Sequence, residues 1–520
     1  MTVLVDDGEN NLGLADVIAA HARRTPYKNA LHIARDNISY AQLWYRIETA
    51  TAALAGQGVK PGDRIAWLGL NDPAQLVLLF ALARLGAILL PLNYRLAQAE
   101  LAAILAHADV SLIVADALHK PVADALLADH PRAMPFAAVD AALFQMSADT
   151  PSPARHSDVL AGSSALPVLL VYTSGTTGKP KGALHTQAGL VANCIISGDA
   201  HGFTSADHVL TVLPMFHVGG LCIQTLPALY AGATVTLHAR FDAGAWLADV
   251  QTRCPSVSVL VPATLRAVIE HPSFVDTDLS SLRLLTAGSS AIPASQISAF
   301  HARGVPVCQV YGATETGPVS IYLKREDATQ RPGSAGKAGL GVDVRLVEAN
   351  AETAGCSADG GDVASGTVGE LWIRAPNVMC RYWNDPANPA FQQGWFRTGD
   401  LARCDEDGFY WVVGRSKDMI ISGGENIYPA EIENVLADCP LILEAAVIGQ
   451  PDDKWGEVAV AVVVKVPGAA LNAGGVMNLF DGKLARFKHP RRFEVVEELP
   501  RNVMGKVQKN LLRERYGGEG

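Results

Sequence analysis

Between two apolar runs, Tyr172–Gly182 reads Y-T-S-G-T-T-G-K-P-K-G, and nothing else in the chain limits its folding choices as tightly. Glycine lets backbone N–H groups curl round an anion with no Cβ in the way. Thr173, Ser174, Thr176 and Thr177 add donors, and Lys179 and Lys181 add charge. Such a loop suits a polyphosphate. It is not the Walker loop, in which four residues separate the glycines and Gly-Lys-Ser/Thr opens a helix. Here two residues separate Gly175 from Gly178, and Pro180 follows Lys179. Proline biases Lys179 toward extended backbone, so the run predicts strand, loop, strand. A flexible Ser/Gly linker is the commoner use of such clusters. It fits poorly with two lysines set between L-P-V-L-L-V-Y and G-A-L-H.

At 520 residues the chain exceeds what one hydrophobic core supports, so two or more domains are expected. With 49% apolar and 18% charged residues it has the profile of a globular enzyme, not of a disordered or fibrous chain. A net charge of -10, with no clustered basic excess, argues against a nucleic-acid partner. The eight cysteines are scattered, with no C-x-x-C pair, and read as reduced packing residues. The start lacks the basic-then-apolar order of a signal peptide. The apolar stretch from Leu76 to Leu92 is broken by Arg84 and falls short of the ~20 residues that a membrane-spanning helix needs. A cytoplasmic location is expected, and a homodimer is left open.

From Leu14 to Val171 helix-like and strand-like pieces alternate, with an amphipathic opening at Ala15–Arg24 and a helical run from Ala74 to Gly86. The rhythm recurs at V-L-T-V-L-P, A-T-V-T-L-H, V-S-V-L-V-P, L-R-L-L-T-A-G and V-P-V-C-Q-V-Y-G, which predicts an α/β fold with parallel sheets. Ligands in such sheets bind beyond the carboxyl ends of the strands, where Pro214, Gly288 and Gly312 would lie. The composition of Glu348–Gly366 reads as a surface loop, and G-E-L-W-I-R and G-F-Y-W-V-V-G-R as antiparallel strands. Beyond Gly414 the remaining residues have strands of their own, enough for a small α+β domain.

Within Q-V-Y-G-A-T-E-T-G-P, a Tyr311 ring can stack on a purine, Thr314 can donate to a phosphate and Glu315 can hold Mg²⁺. Each of these has a plainer reading as a packed or solvated side chain. Asp400 in W-F-R-T-G-D could accept from a ribose diol, although an aspartate after glycine is more simply a turn residue. His217 in L-P-M-F-H-V-G-G reads as a core histidine, except that the two glycines after it open space for a pocket. Lys506 in L-P-R-N-V-M-G-K could swing in to meet negative charge that develops during phosphoryl transfer.

Taken in order, these segments resemble the AMP-forming acyl-CoA synthetases of the adenylate-forming superfamily. The likeness runs from the phosphate loop through Y-G-A-T-E, T-G-D and G-R-S-K-D-M-I-I-S-G-G-E-N-I-Y-P-A-E-I-E to P-R-N-V-M-G-K. It implies a large N-terminal domain (1–414) of two α/β subdomains and a β-barrel-like one. A hinge at 415–417 and a mobile C-terminal domain (418–520) with the catalytic lysine would follow. It places the ATP phosphates on Thr173–Lys181, and adenine between Gly288-Ser289 and Tyr311-Gly312. Thr314 would lie on the α-phosphate, Mg²⁺ on Glu315, and the ribose on Asp400 and Arg415. Lys506 would bridge the attacking carboxylate and the α-phosphate. Gly423 and Gly424 would line the pantetheine tunnel and Arg491 would meet the CoA 3′-phosphate, with His489 standing where some relatives carry arginine.

The same resemblance implies ATP, Mg²⁺ and coenzyme A as cofactors and a small carboxylic acid as substrate, joined to CoA through an acyl-AMP. In His217-Val218-Gly219-Gly220 the aromatic residue that hydroxycinnamate-selecting relatives place two positions after the histidine is missing. That favours a medium- or long-chain fatty acid. Gly317-Pro318-Val319 resembles the 4-coumarate ligases and keeps an aromatic acid such as ferulate as the alternative. A dicarboxylate would need a dedicated arginine, and Arg266 and Arg283 read more easily as helix-surface and strand-end residues. A free-standing adenylation enzyme that loads a carrier protein, and a nucleotide-binding regulator without catalysis, are the other readings.

Overall fold

The computed structural model describes residues 13–34, 36–129, 164–173, 181–290, 292–348, 361–423, 425–471, 476, 478–480, 483–501 and 506–517. The predicted rhythm appears as two helix-flanked sheets. The larger has nine strands in the order Lys337–Ala338, Gly317–Tyr322, Val307–Ala313, Leu284–Gly288, Val257–Leu260, His208–Thr211, Thr234–Leu237, Asn29–Ile33, Asp36–Ser39. Its centre is parallel, as expected. Its margins are not, because Gly317–Tyr322 and Asp36–Ser39 each run antiparallel to a neighbour. Both follow turns too short for the crossover that a parallel return requires.

The second sheet has six strands. Arg64–Leu68, Ile88–Leu92, Leu112–Ala115 and Pro167–Thr173 form its parallel part. Lys181–Thr186 and Arg381–Tyr382 complete it with antiparallel pairs. The helix Pro73–Leu85 starts on an Asp72 cap that accepts from Ala74 N–H, has proline in its first turn, and stops at Gly86 in the left-handed region. It is buried nearly all round, from Leu76 to Ala83 without a break. Its apolar run is therefore core helix. None of the described helices is long and apolar enough to cross a membrane.

Asp343–Val347, Gly369–Arg374, Trp395–Cys404, Phe391–Gln392 and Tyr410–Arg415 make a five-stranded antiparallel sheet, as G-E-L-W-I-R and the glycine-spaced aromatics predict. The loop expected at Glu348–Gly366 lies mostly outside the described residues. Tyr410–Arg415 ends five residues before Ile420–Ser422, the first strand of a separate sheet. That sheet is built on the long hairpin Ile442–Asp452 and Gly456–Lys465, and it has its own core of Ile420, Ile432, Val447, Ala461 and Phe480.

Candidate active site

Pro167–Thr173 and Lys181–Thr186 pair antiparallel, with Thr173 opposite Lys181, so the glycine-rich run closes a hairpin. Of its predicted site residues, Ser174, Gly175, Thr176, Thr177, Gly178 and Lys179 lie outside the described residues. The two posts of the loop are described. Thr173 Oγ1 donates to Glu315 Oε1 at 3.3 Å, and Lys181 Nζ stands 5.1 Å from the Tyr382 ring centroid. Tyr382 OH donates to the same Glu315 oxygen at 3.0 Å. The loop and the Y-G-A-T-E segment therefore meet at one carboxylate. Nothing local in the sequence marked Tyr382, whose partner is 67 residues away.

The parallel strands Leu284–Gly288 and Val307–Ala313 end beside this point, with Gly288 opposite Val310. A Cβ on Gly288 would come within 2.7 Å of the Val310 carbonyl oxygen, and one on Gly312 within 2.5 Å of the Pro318 carbonyl. Only glycine allows these backbones to lie so close. Ser289 follows with φ +76° and turns outward, exposed. Thr314 is tied from behind by a hydrogen bond between its backbone and His185, a ring that burial holds neutral by lowering its pKa to about 4.

Asp400 is no turn residue. It sits buried in Trp395–Cys404, directly across from Arg415. Arg415 Nε donates to its Oδ1 at 2.9 Å and Tyr311 OH to its Oδ2 at 2.6 Å. The carboxylate raises the Arg415 pKa, and burial followed by the same carboxylate raises that of Tyr311.

His217 caps the short helical turn Val218–Gly220, which passes directly into a π-helical turn, Leu221–Thr225. Its Nε2 is buried without a hydrogen-bond partner. Burial, then the nearby cations of Lys506 and Arg95, lower its pKa to about 3, so the ring is neutral. Lys506 feels Arg415, Asp400 and Glu315 as its nearest charges. The residue as a whole is exposed. Even so, protein atoms crowd its ammonium, and desolvation is the leading cause that lowers its pKa, ahead of repulsion from Arg415.

The fold thus gathers Thr173, Lys181, Tyr311, Thr314, Glu315, Asp400, Arg415, His217 and Lys506. Gly423, at φ +61°, belongs to a different group, in which its Cβ position lies 2.8 Å from the Trp455 ring. Arg491 stands over that same ring, 5.6 Å from its centroid. Gly424 lies outside the described residues. His489 Nε2 is engaged by the Leu484 carbonyl. Arg266 pairs with Glu270 and Arg283 with Asp207, so neither is a spare cation for a dicarboxylate.

Among the described residues no three His, Cys, Asp or Glu side chains cluster to hold a metal by themselves. That suits Mg²⁺, which takes one or two carboxylates and completes its shell with phosphate oxygens and water. Glu315 can supply the protein ligand.

The two posts of the glycine-hydroxyl loop, the buried carboxylate of Asp400 and a lysine that feels both Asp400 and Glu315 suit a nucleotide-activating enzyme. The chain belongs to the AMP-binding enzyme family, whose model matches residues 18–383, with the AMP-binding enzyme C-terminal domain matching 431–506. Its relatives include the indoleacetate–CoA ligase of Aromatoleum aromaticum, 45% identical over 96% of this chain and 98% of that protein. A feruloyl-CoA synthase of an Amycolatopsis species is 39% identical over 98% and 100%. The long-chain-fatty-acid–CoA ligase FadD13 of Mycobacterium tuberculosis is 35% identical over 92% and 93%. Among solved structures, ATP-bound MatB from Rhodopseudomonas palustris superposes with a TM-score of 0.85 at 32% identity, over 97% of this chain and 99% of that one. The protein is an AMP-forming acid–CoA ligase that uses ATP, Mg²⁺ and CoA.

Proposed function

We propose that this ligase activates a flat aromatic carboxylic acid, of the arylacetic or arylpropenoic type, in preference to a fatty acid. The observation that carries the choice is the 45% identity, nearly end to end, to an indoleacetate ligase, followed by 39% to a feruloyl-CoA synthase and 35% to a fatty-acid ligase. Space beside His217 supports it, because a Cβ added at Gly219 would meet no atom within 4 Å. A ring can lie there as readily as an alkyl chain. The fatty acid favoured by the missing aromatic residue after His217 ranks second.

In the first half-reaction a carboxylate oxygen bonds to the α-phosphorus of ATP while the bond to the β-phosphate oxygen breaks and pyrophosphate leaves. In the second, the CoA sulfur bonds to the acyl carbon as the bond to AMP breaks. Neither half needs a covalent enzyme nucleophile, so positioning and charge neutralisation carry the rate. Thr173, Lys181 and the intervening loop cradle the phosphates, Thr314 meets the α-phosphate, and Asp400 with Arg415 takes the ribose. Tyr311, its hydroxyl fixed on Asp400, offers its ring to the adenine beside Gly288, Ser289 and Gly312. Glu315 would hold Mg²⁺, which when bound would offset phosphate charge. Lys506 stabilises the charge that builds between carboxylate and phosphate. Neutral His217 presents an unprotonated edge or an N–H to the acid without adding a second charge.

We assign residues 1–414 to the acid- and ATP-binding domain, 415–417 to the hinge, and 418–520 to the domain that carries Lys506. For thioester formation that domain turns, withdrawing Lys506 and bringing Gly423, Gly424 and Arg491 to CoA. The test is acid-dependent pyrophosphate release with MgATP and CoA, across indole-3-acetate, ferulate, laurate and palmitate. The aromatic acids are expected to show the higher kcat/KM, and a clear preference for the fatty acids would reverse the choice.

A further inference from the structure

We infer that Gln224 is a specificity-determining residue whose side-chain oxygen accepts a hydrogen bond from the far end of the acid, so the preferred substrate carries an N–H or O–H donor on its ring. The inference rests on the aromatic-acid reading above and narrows it.

Gln224 is fully buried on the π-helical turn that follows His217, and its Oε1 has no hydrogen-bond partner. The sense of the network around it fixes which end of the amide is free. His201 Nδ1 lies 2.8 Å from the Ser197 carbonyl, which can only accept, so Nδ1 carries the proton. Burial keeps that ring neutral, with its pKa lowered to about 4. Its Nε2, 2.8 Å from Thr286 Oγ1, must then accept from the Thr286 hydroxyl. Thr286 Oγ1 in turn accepts from Gln224 Nε2 at 2.8 Å, and the second amide hydrogen reaches toward the Ser258 carbonyl at 3.4 Å. Every donor in the chain is spent. What remains is one acceptor with nothing to accept, an arrangement that native cores avoid unless a partner arrives.

Its position matches the distal end of an acid. Thr286 lies two residues before Gly288 on the same strand and therefore on the same face, about 7 Å below the site at the usual strand rise. Gln224 is anchored to that threonine from a helical segment that begins at His217. A carboxylate held between His217 and Lys506 would thus point its ring down toward Gln224. The π-turn is a second, independent indication, because such turns are rare and concentrate at functional sites. An alkyl chain that ended here would leave the acceptor unpaired, whereas an indole N–H or a phenolic O–H satisfies it.

The deciding experiment compares kcat/KM for matched acids: indole-3-acetic acid against its N-methyl analogue, and 4-hydroxycinnamic against cinnamic acid. The wild-type enzyme is expected to favour each donor-bearing acid by about 10-fold or more. Gln224→Met, similar in length but without the carbonyl, should erase that preference by lowering turnover of the donor-bearing acids and sparing the others. Equal use of both members of each pair by wild type, or an equal fall for both in Gln224→Met, overturns the assignment. The wild-type comparison stands even if the variant does not fold. If no aromatic acid is activated while fatty acids are, the aromatic reading fails as well; aromatic turnover without donor preference sinks the Gln224 role alone.

Discussion

In the proposed mechanism Lys506 concentrates the chemistry of adenylation on one ammonium. Its neighbours Asp400 and Glu315 favour the charged form, but desolvation and Arg415 outweigh them and lower its pKa. Lys506→Ala should reduce acyl-AMP formation by orders of magnitude while leaving thioester formation from supplied acyl-AMP intact, measured as separate half-reactions. The sign of the pH dependence follows from the same shift. A lysine with a depressed pKa loses its proton earlier as pH rises, so adenylation should decline at an alkaline pH below the ordinary lysine range. Lys506→Arg should move that decline upward. Tyr382 is a gentler probe, because it gives Glu315 one of its two hydroxyl donors. Tyr382→Phe should raise the KM for MgATP by about 10-fold, the scale of one hydrogen bond to a charged group, with a smaller change in kcat.

Elements make the site by ending in the right place. The turn after His217 depends on Gly220, where a Cβ would lie 2.3 Å from the backbone oxygen of Pro214. Gly220→Ala should therefore cost about 1–3 kcal/mol of stability in denaturant unfolding, since backbone cannot yield as a side chain does. Gly219→Ala, one residue away and facing open space, should fold normally and change only the preference among acids. The strands themselves were legible, since Leu284–Gly288 and Val257–Leu260 are short apolar runs closed by glycine or proline. The hairpin under the phosphate loop could be read from Pro180 alone. What lay beyond reading was pairing at long range. Asp400 looked like a turn residue because its partners, Tyr311 and Arg415, are brought to it by different strands. Gln224 gave no signal at all, for its meaning depends on Ser258 and Thr286, which only the sheet places side by side.

At the scale of the whole molecule, four histidines with lowered pKa values set an acid limit. His185, His201, His208 and His217 are lowered to about 4, 4, 4 and 3, chiefly by burial, while an unfolded chain protonates histidine near 6.5. Below about pH 6.5 the unfolded state binds protons that the native state refuses. Stability should therefore fall by about 1.4 kcal/mol per pH unit for each such ring until pH nears the native values. Urea midpoints measured from pH 7 to pH 4.5 check this, and His201→Asn should flatten the slope. The two-domain cycle has its own test. If residues 415–417 are the hinge proposed above, Lys417→Pro would stiffen it, so adenylation should survive while thioester formation drops by orders of magnitude. Asp400 faces Arg415 across two paired strands, and Arg415 immediately precedes the short turn Ser416–Asp418, whose Asp418 is clasped by Arg513 from the terminal helix. In the proposed cycle the ribose-binding Arg415 is itself the first residue of the hinge, so loosening the grip on the sugar would slacken the axle, and the spent nucleotide's departure would be geared to the turning of the lid.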